Sequence, residues 1–198
     1  MTGFRDSIGS VSSASWPIDL ATHLGTQIEN ETSPPDFPTT PARQKKESRF
    51  ARLLKIRDPI AGYNCFGLVF ASRRTVLLNP DITLILLEDG YRELQNDEEV
   101  QIGDIVVYSD DRGPMHAAIV TRLEKTLYRA ESSGITVWVL SKFEDCTGEY
   151  EHTIDNVSWN QWSVTHKVYR PRAQTPRKST GAPRGSPTWK NKIISIGP

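Results

Sequence analysis

The feature that most constrains the fold is a change of periodicity about halfway along the chain. Ahead of it, apolar residues recur at helical spacing; beyond it, they fall in short β-rich runs cut by turns. From Phe66 to Thr75 the residues Leu68, Val69 and Ala71 fit one helical stripe, and the breakers Asp58, Pro59 and Gly62 stand in front of it. A helix is therefore predicted over 65–76 and a second over 81–94, around Ile82 to Tyr91. Strands are predicted near 104–109, 115–123, 126–131, 135–140, 149–154 and 163–170. Two of them flank the polar turn ending in Gly113-Pro114, which reads as a hairpin. Helices first and an antiparallel sheet afterwards give an α+β fold.

With 198 residues and 37% hydrophobic content, the chain suffices for one core and two tails. Residues 1–48 are rich in Ser, Thr and Pro and read as a flexible tail, with a short helix expected around 18–28 near Asp19. The domain is assigned to 49–172, and the basic stretch 173–198 reads as disorder. Lys and Arg (24) balance Asp and Glu (24), so no overall field recruits nucleic acid or an anionic membrane. Met1 to Ser15 lacks the apolar region of a signal peptide, and no run approaches the roughly 20 apolar residues that span a bilayer. These features predict a cytoplasmic protein, or one delivered elsewhere by other machinery.

Two residues carry the chemical argument. Cys65 stands where a loop turns into the first helix, and a helix N-terminus beside an imidazole is the setting that turns a thiol into a nucleophilic thiolate. His116 opens the apolar run His116-Ala117-Ala118-Ile119-Val120 at a strand start. A buried free cysteine is otherwise an ordinary small hydrophobe, and a strand histidine an ordinary hydrogen-bonding residue. A disulfide with Cys146 would silence Cys65, so the nucleophile reading requires both thiols to be reduced.

Three segments in order, Asn64-Cys65-Phe66-Gly67-Leu68-Val69, Gly103-Asp104-Ile105-Val106-Val107 and His116 to Val120, resemble the NlpC-like branch of papain-like cysteine peptidases and amidases and the related CHAP-type domains. The resemblance spans roughly residues 60–172. It implies a papain-like fold in which N-terminal helices carrying the cysteine pack on an antiparallel sheet carrying the histidine. It also implies a thiol hydrolase without cofactor or metal, acting on a peptide or amide substrate such as a bacterial cell-wall peptide, through a thioester formed by Cys65 with His116 as base. Phe66 departs from the small residue usual after the nucleophile. The third residue, which would orient the imidazole, is either His152 or Glu131, with His152 taken first. Tyr63, Asn64, Trp138 and Lys142 are the candidate substrate contacts.

Other readings use the same residues. A deamidase or transferase would employ the same Cys–His pair, and an inactive papain-like binding module would employ neither. A metal site from His116, His152 and a cysteine ranks last, because no closely spaced ligand pair nucleates it. The substrate and the oligomeric state have no signature in the sequence.

Overall fold

The computed structural model describes residues 15–33, 41–78, 81–128, 132–144, 147–156 and 164–172. In chain order the elements are β1 (Asn30–Glu31), α1 (Pro41–Ser48), β2 (Leu54–Arg57), α2 (Cys65–Phe70), β3 (Val76–Leu77), α3 (Ile82–Glu88), β4 (Arg92–Glu93), β5 (Ile105–Asp110), β6 (Gly113–Tyr128), β7 (Ser132–Lys142), β8 (Glu149–Thr153) and β9 (Thr165–Arg170). The architecture is α+β: an antiparallel seven-stranded sheet in the order β2-β8-β7-β6-β5-β9-β4, few helices, and a separate β1-β3 pair.

Both helices that follow β2 are shorter than their periodicity predicts. The first stops at Phe70 because the chain swings into the left-handed region at Ser72 (φ 50°) and Arg73 (φ 65°), where the amides of Ala71 and Arg73 both donate to the Gly67 carbonyl. The second is capped by Asp81, whose side chain accepts from the Leu84 amide, and it is left at Gly90 (φ 73°). The strands expected at 115–123 and 126–131 are one long strand, β6, with a register shift between Val120 and Arg122. β2 and β4 lie at the two sheet edges, and with four and two residues they are too short for their patterns to announce them.

Part of the expected N-terminal tail packs on the domain. Residues 16–32 form an irregular hairpin with bridges Trp16–Thr32 and Ala21–Gln27, not a helix over 18–28. It is tied down by Asn30, whose side chain exchanges hydrogen bonds with Ile18 and accepts from Thr75, and by the bond from Thr22 to Glu88. Helix α1 likewise docks: Glu47 accepts from the Gly148 amide (2.8 Å) and the Tyr150 hydroxyl (2.5 Å). Polar composition suggested a linker there, yet a few directed hydrogen bonds and the buried Phe50 beyond α1 hold the segment in place; burying a Phe side chain contributes about 1.5–3 kcal/mol. The basic stretch 173–198 lies outside the described residues.

Strand alternation divides the core into two layers. On one face of the sheet, Ile105, Val107 and Ala117 pack against Cys65 and Phe66 of α2 and against Ile82, Ile85 and Leu86 of α3. On the other, Val106, Tyr108, Ala118, Val120, Val139, Phe143 and Tyr150 pack with Phe50. Leu140 joins the α2 side through Tyr63 and Leu68. No helix among the described residues is long and apolar enough to cross a membrane.

Candidate functional site

Cys65 is the first residue of α2 and is buried at 8% exposure. Its neighbours in the sequence explain the local geometry. Asn64 caps the helix by accepting from the Gly67 amide (2.9 Å), and its side-chain amide donates to the Leu77 carbonyl (3.0 Å), which staples the helix start to β3. Gly67 is required for close approach: a Cβ there would stand 1.9 Å from the Thr75 carbonyl oxygen. Burial pushes the Cys65 thiol up to about 11, although the amides of Ala117, Phe66 and Cys65 pull the other way. The group at the helix start is therefore a neutral thiol at physiological pH.

His116 lies on the other face of the sheet. It pairs with Tyr108 across the β5–β6 ladder, and its ring stacks on Phe143 at 5.4 Å, which in turn stacks on Phe50 at 4.4 Å. Its neighbour Ala117 is the β6 residue packed with Cys65. Since successive strand residues project to opposite faces, the proposed nucleophile and base are separated by the sheet itself. Burial, helped by nearby His152, pushes the His116 imidazole down to about 3.

The structure instead joins His116 to His152 through a serine. Ser141 Oγ lies 3.0 Å from His116 Nε2 and 2.9 Å from His152 Nε2, and all three residues are buried. The donors can be assigned: the Thr153 carbonyl, 2.9 Å from His152 Nδ1, can only accept, so Nδ1 carries the proton. The Ser141 hydroxyl then donates to His152 Nε2 and accepts from His116 Nε2. Burial also holds His152 below its ordinary value. His152 thus supports His116 indirectly, but neither imidazole faces the Cys65 thiol. Glu131 and Cys146 lie outside the described residues.

The four candidate substrate contacts have packing roles. Tyr63 is buried and donates its hydroxyl to Glu149 at 2.5 Å; Asn64 is the helix cap. Lys142 is fully buried, its ammonium donating to the carbonyls of Ile60 (2.7 Å) and Thr147 (2.5 Å) and lying 4.5 Å from the Tyr63 ring centroid. Trp138 is stacked under the Arg122 guanidinium at 4.1 Å and donates to Glu124 at 3.0 Å.

A buried charge network that the sequence did not announce centres on Glu149. At 1% exposure it accepts two bonds from Arg73 (2.6 and 3.0 Å) and one from Tyr63, with Arg57 at 3.5 Å. Burial raises its proton affinity, but these partners win and hold the carboxyl below the usual carboxylate range. The left-handed backbone at Arg73 delivers its side chain there. In the Gly103-Asp104 segment, Asp104 is a buried partner for Arg170, held by two bonds of 2.9 Å.

A surface recess lies elsewhere, beside α1. It encloses ≈ 680 Å³ between α1, the turn carrying Phe50 and Leu53, β2, Pro59 and Tyr150. No family model, curated protein or solved structure matches this chain.

Proposed function

We propose that the domain is a binding module of papain-like, NlpC- or CHAP-like type in which the cysteine and histidine positions serve packing. The observation that carries this reading is the placement of Cys65 and His116 on opposite faces of the sheet. Two further features support it. Each residue of the Asn-Cys-Phe-Gly-Leu-Val segment has a structural use, as cap, core or close contact. The thiol is also held protonated by burial, whereas an attacking thiol must be a thiolate. A binding function would use this recess, where Phe50, Leu53, Pro59 and Tyr150 supply apolar walls and Gln44, Glu47, Lys55 and Asp58 polar groups that could orient a ligand.

A thiol-dependent amide hydrolase, or a deamidase or transferase with the same pair, is the second reading, favoured by the position of Cys65 at the first turn of a capped helix. It requires the His116 ring to turn to the face of Cys65. A one-residue shift of β6 would do so, but would also exchange Ala118 and Val120 of one core layer with Ala117 and Ile119 of the other. The pH dependence of Cys65 alkylation, with and without His116, separates the two readings: a slow thiol indifferent to His116 fits the module, and a fast one that depends on His116 fits the enzyme.

A further inference from the structure

The seven-stranded sheet ends at β2, beside the recess. β2 is bonded to β8 on one side and, among the described residues, to no strand on the other. The outward N–H and C=O groups of such an edge are a template for another extended segment. All four β2 residues are exposed, including Leu54 at 56% and Ile56 at 53%, which alternate with Lys55 and Arg57. A single exposed apolar residue needs no explanation; two in alternate positions on a sheet edge form a strip that a partner strand would cover.

Charge identifies the partner. Between residues 45 and 58 six basic side chains (Lys45, Lys46, Arg49, Arg52, Lys55, Arg57) stand against two acidic ones (Glu47, Asp58), in a chain whose totals are equal; from other elements Glu144 pairs with Lys46 and Arg49, and the buried Glu149, already held by Arg73, lies near Arg57. Glu47 is already engaged by Tyr150, Gly148 and Lys55. The side chains of Arg49, Lys55 and Arg57 nevertheless keep 66%, 43% and 53% exposure. Leu53, Lys55 and Pro59 of this same segment wall the recess, so a strand laid along β2 would bring alternate side chains over it.

We propose that the outer edge of β2 docks an extended acidic segment of another protein, with acidic and apolar residues alternating, which extends the sheet by one strand, lays its apolar side chains beside Leu54 and Ile56 and its acidic ones on the opposite face, beside Lys55 and the recess. Backbone pairing supplies attraction in this mode and the recess supplies selectivity. The shortness of β2 and its register shift between Lys55 and Arg57 allow only a few backbone bonds, so binding depends on charge and weakens with salt.

The inference rests on the binding-module reading for the nature of the partner. Its test is the amide spectrum of the full chain titrated with a synthetic peptide of about ten residues alternating glutamate and valine. The expected result is movement of the Leu54–Arg57 amides, reversed by salt, absent with the same peptide N-methylated along its backbone, and absent in the double variant Leu54→Asp, Ile56→Asp whose remaining spectrum is native. An unmoved β2, or equal binding of the N-methylated peptide or of a lysine–valine peptide, would overturn it. The two readings fail separately: a rapidly alkylated Cys65 would defeat the binding module and leave the β2 shifts standing, whereas an inert thiol with an unmoved β2 would defeat the docking inference alone.

Discussion

Cys65 and His116 face away from each other across one sheet: the thiol packs with Ala117, and the imidazole of the very next β6 neighbour, His116, stacks on Phe143. The three sequence segments that suggested a thiol hydrolase are all used, but in building two separate cores. Asn64 and Gly67 fit α2 to β3, Asp104 anchors β9 through Arg170, and His116 belongs to a buried Ser–His pair of bonds.

Gly67→Ala places a methyl group against the Thr75 backbone, which cannot swing aside as a side chain can. The variant should lose about 3 kcal/mol, at the upper end of overpacking effects, read from the urea midpoint. An unchanged midpoint would show that Gly67 is not the contact between α2 and the segment entering β3.

Ser141→Ala removes the group that bonds both His116 and His152. Leaving buried polar atoms without a bond costs about 1–3 kcal/mol, so urea unfolding should shift by that amount, with the slope unchanged. A neutral substitution would mean that the two imidazoles do not depend on the hydroxyl.

The same pair makes the protein acid-sensitive. Burial pushes His116 down to about 3 and His152 below its ordinary value, so the folded state refuses protons that the unfolded chain takes up below about pH 6.5. Stability is then complete above that pH and falls as the pH drops toward 3. The slope is up to about 1.4 kcal/mol per pH unit for each histidine. Urea titrations at pH 7, 6, 5 and 4 read this directly, and His116→Gln should flatten the curve; a wild-type curve flat over this range would contradict the assignment of neutral imidazoles.

Much of the fold was legible because β-rich runs and Gly-Pro punctuation are local signals, as in Ile105–Tyr108 and the hairpin turn before Pro114. Element type was correct for both helices after β2, but their ends were not, since Ser72 and Arg73 enter left-handed geometry without a glycine to signal it. The docking of residues 16–32 and of α1 rests on long-range bonds such as Thr75 to Asn30 and Tyr150 to Glu47, which no local pattern encodes. For the candidate site, spacing placed Cys65 at a helix start and His116 in a strand. Which face His116 occupies depends on single-residue register, and that is set by the packing of the whole ladder.

Glu149→Ala should be among the most damaging substitutions in the domain. It leaves the buried Tyr63 hydroxyl without its acceptor and Arg73, whose side chain is 36% exposed, without its partner, and a buried polar group left unpaired costs about 1–3 kcal/mol. Arg57→Ala, whose side chain is 53% exposed, should cost less than about 1 kcal/mol. Thermal unfolding of the two variants compares them, and equal losses would show that the network does not centre on Glu149.

Whether Cys65 is a packed thiol or an activated one is decided by its rate of alkylation with iodoacetamide as a function of pH, read by mass spectrometry in Cys146→Ala, with and without His116→Ala. A packed thiol labels slowly at neutral pH, with a rate that rises only toward about pH 11, where burial places it, and that does not depend on the His116 imidazole as a base. Rapid labelling well below pH 8, slowed by the loss of His116, would establish an activated thiol–imidazole pair and overturn the packing role of Cys65.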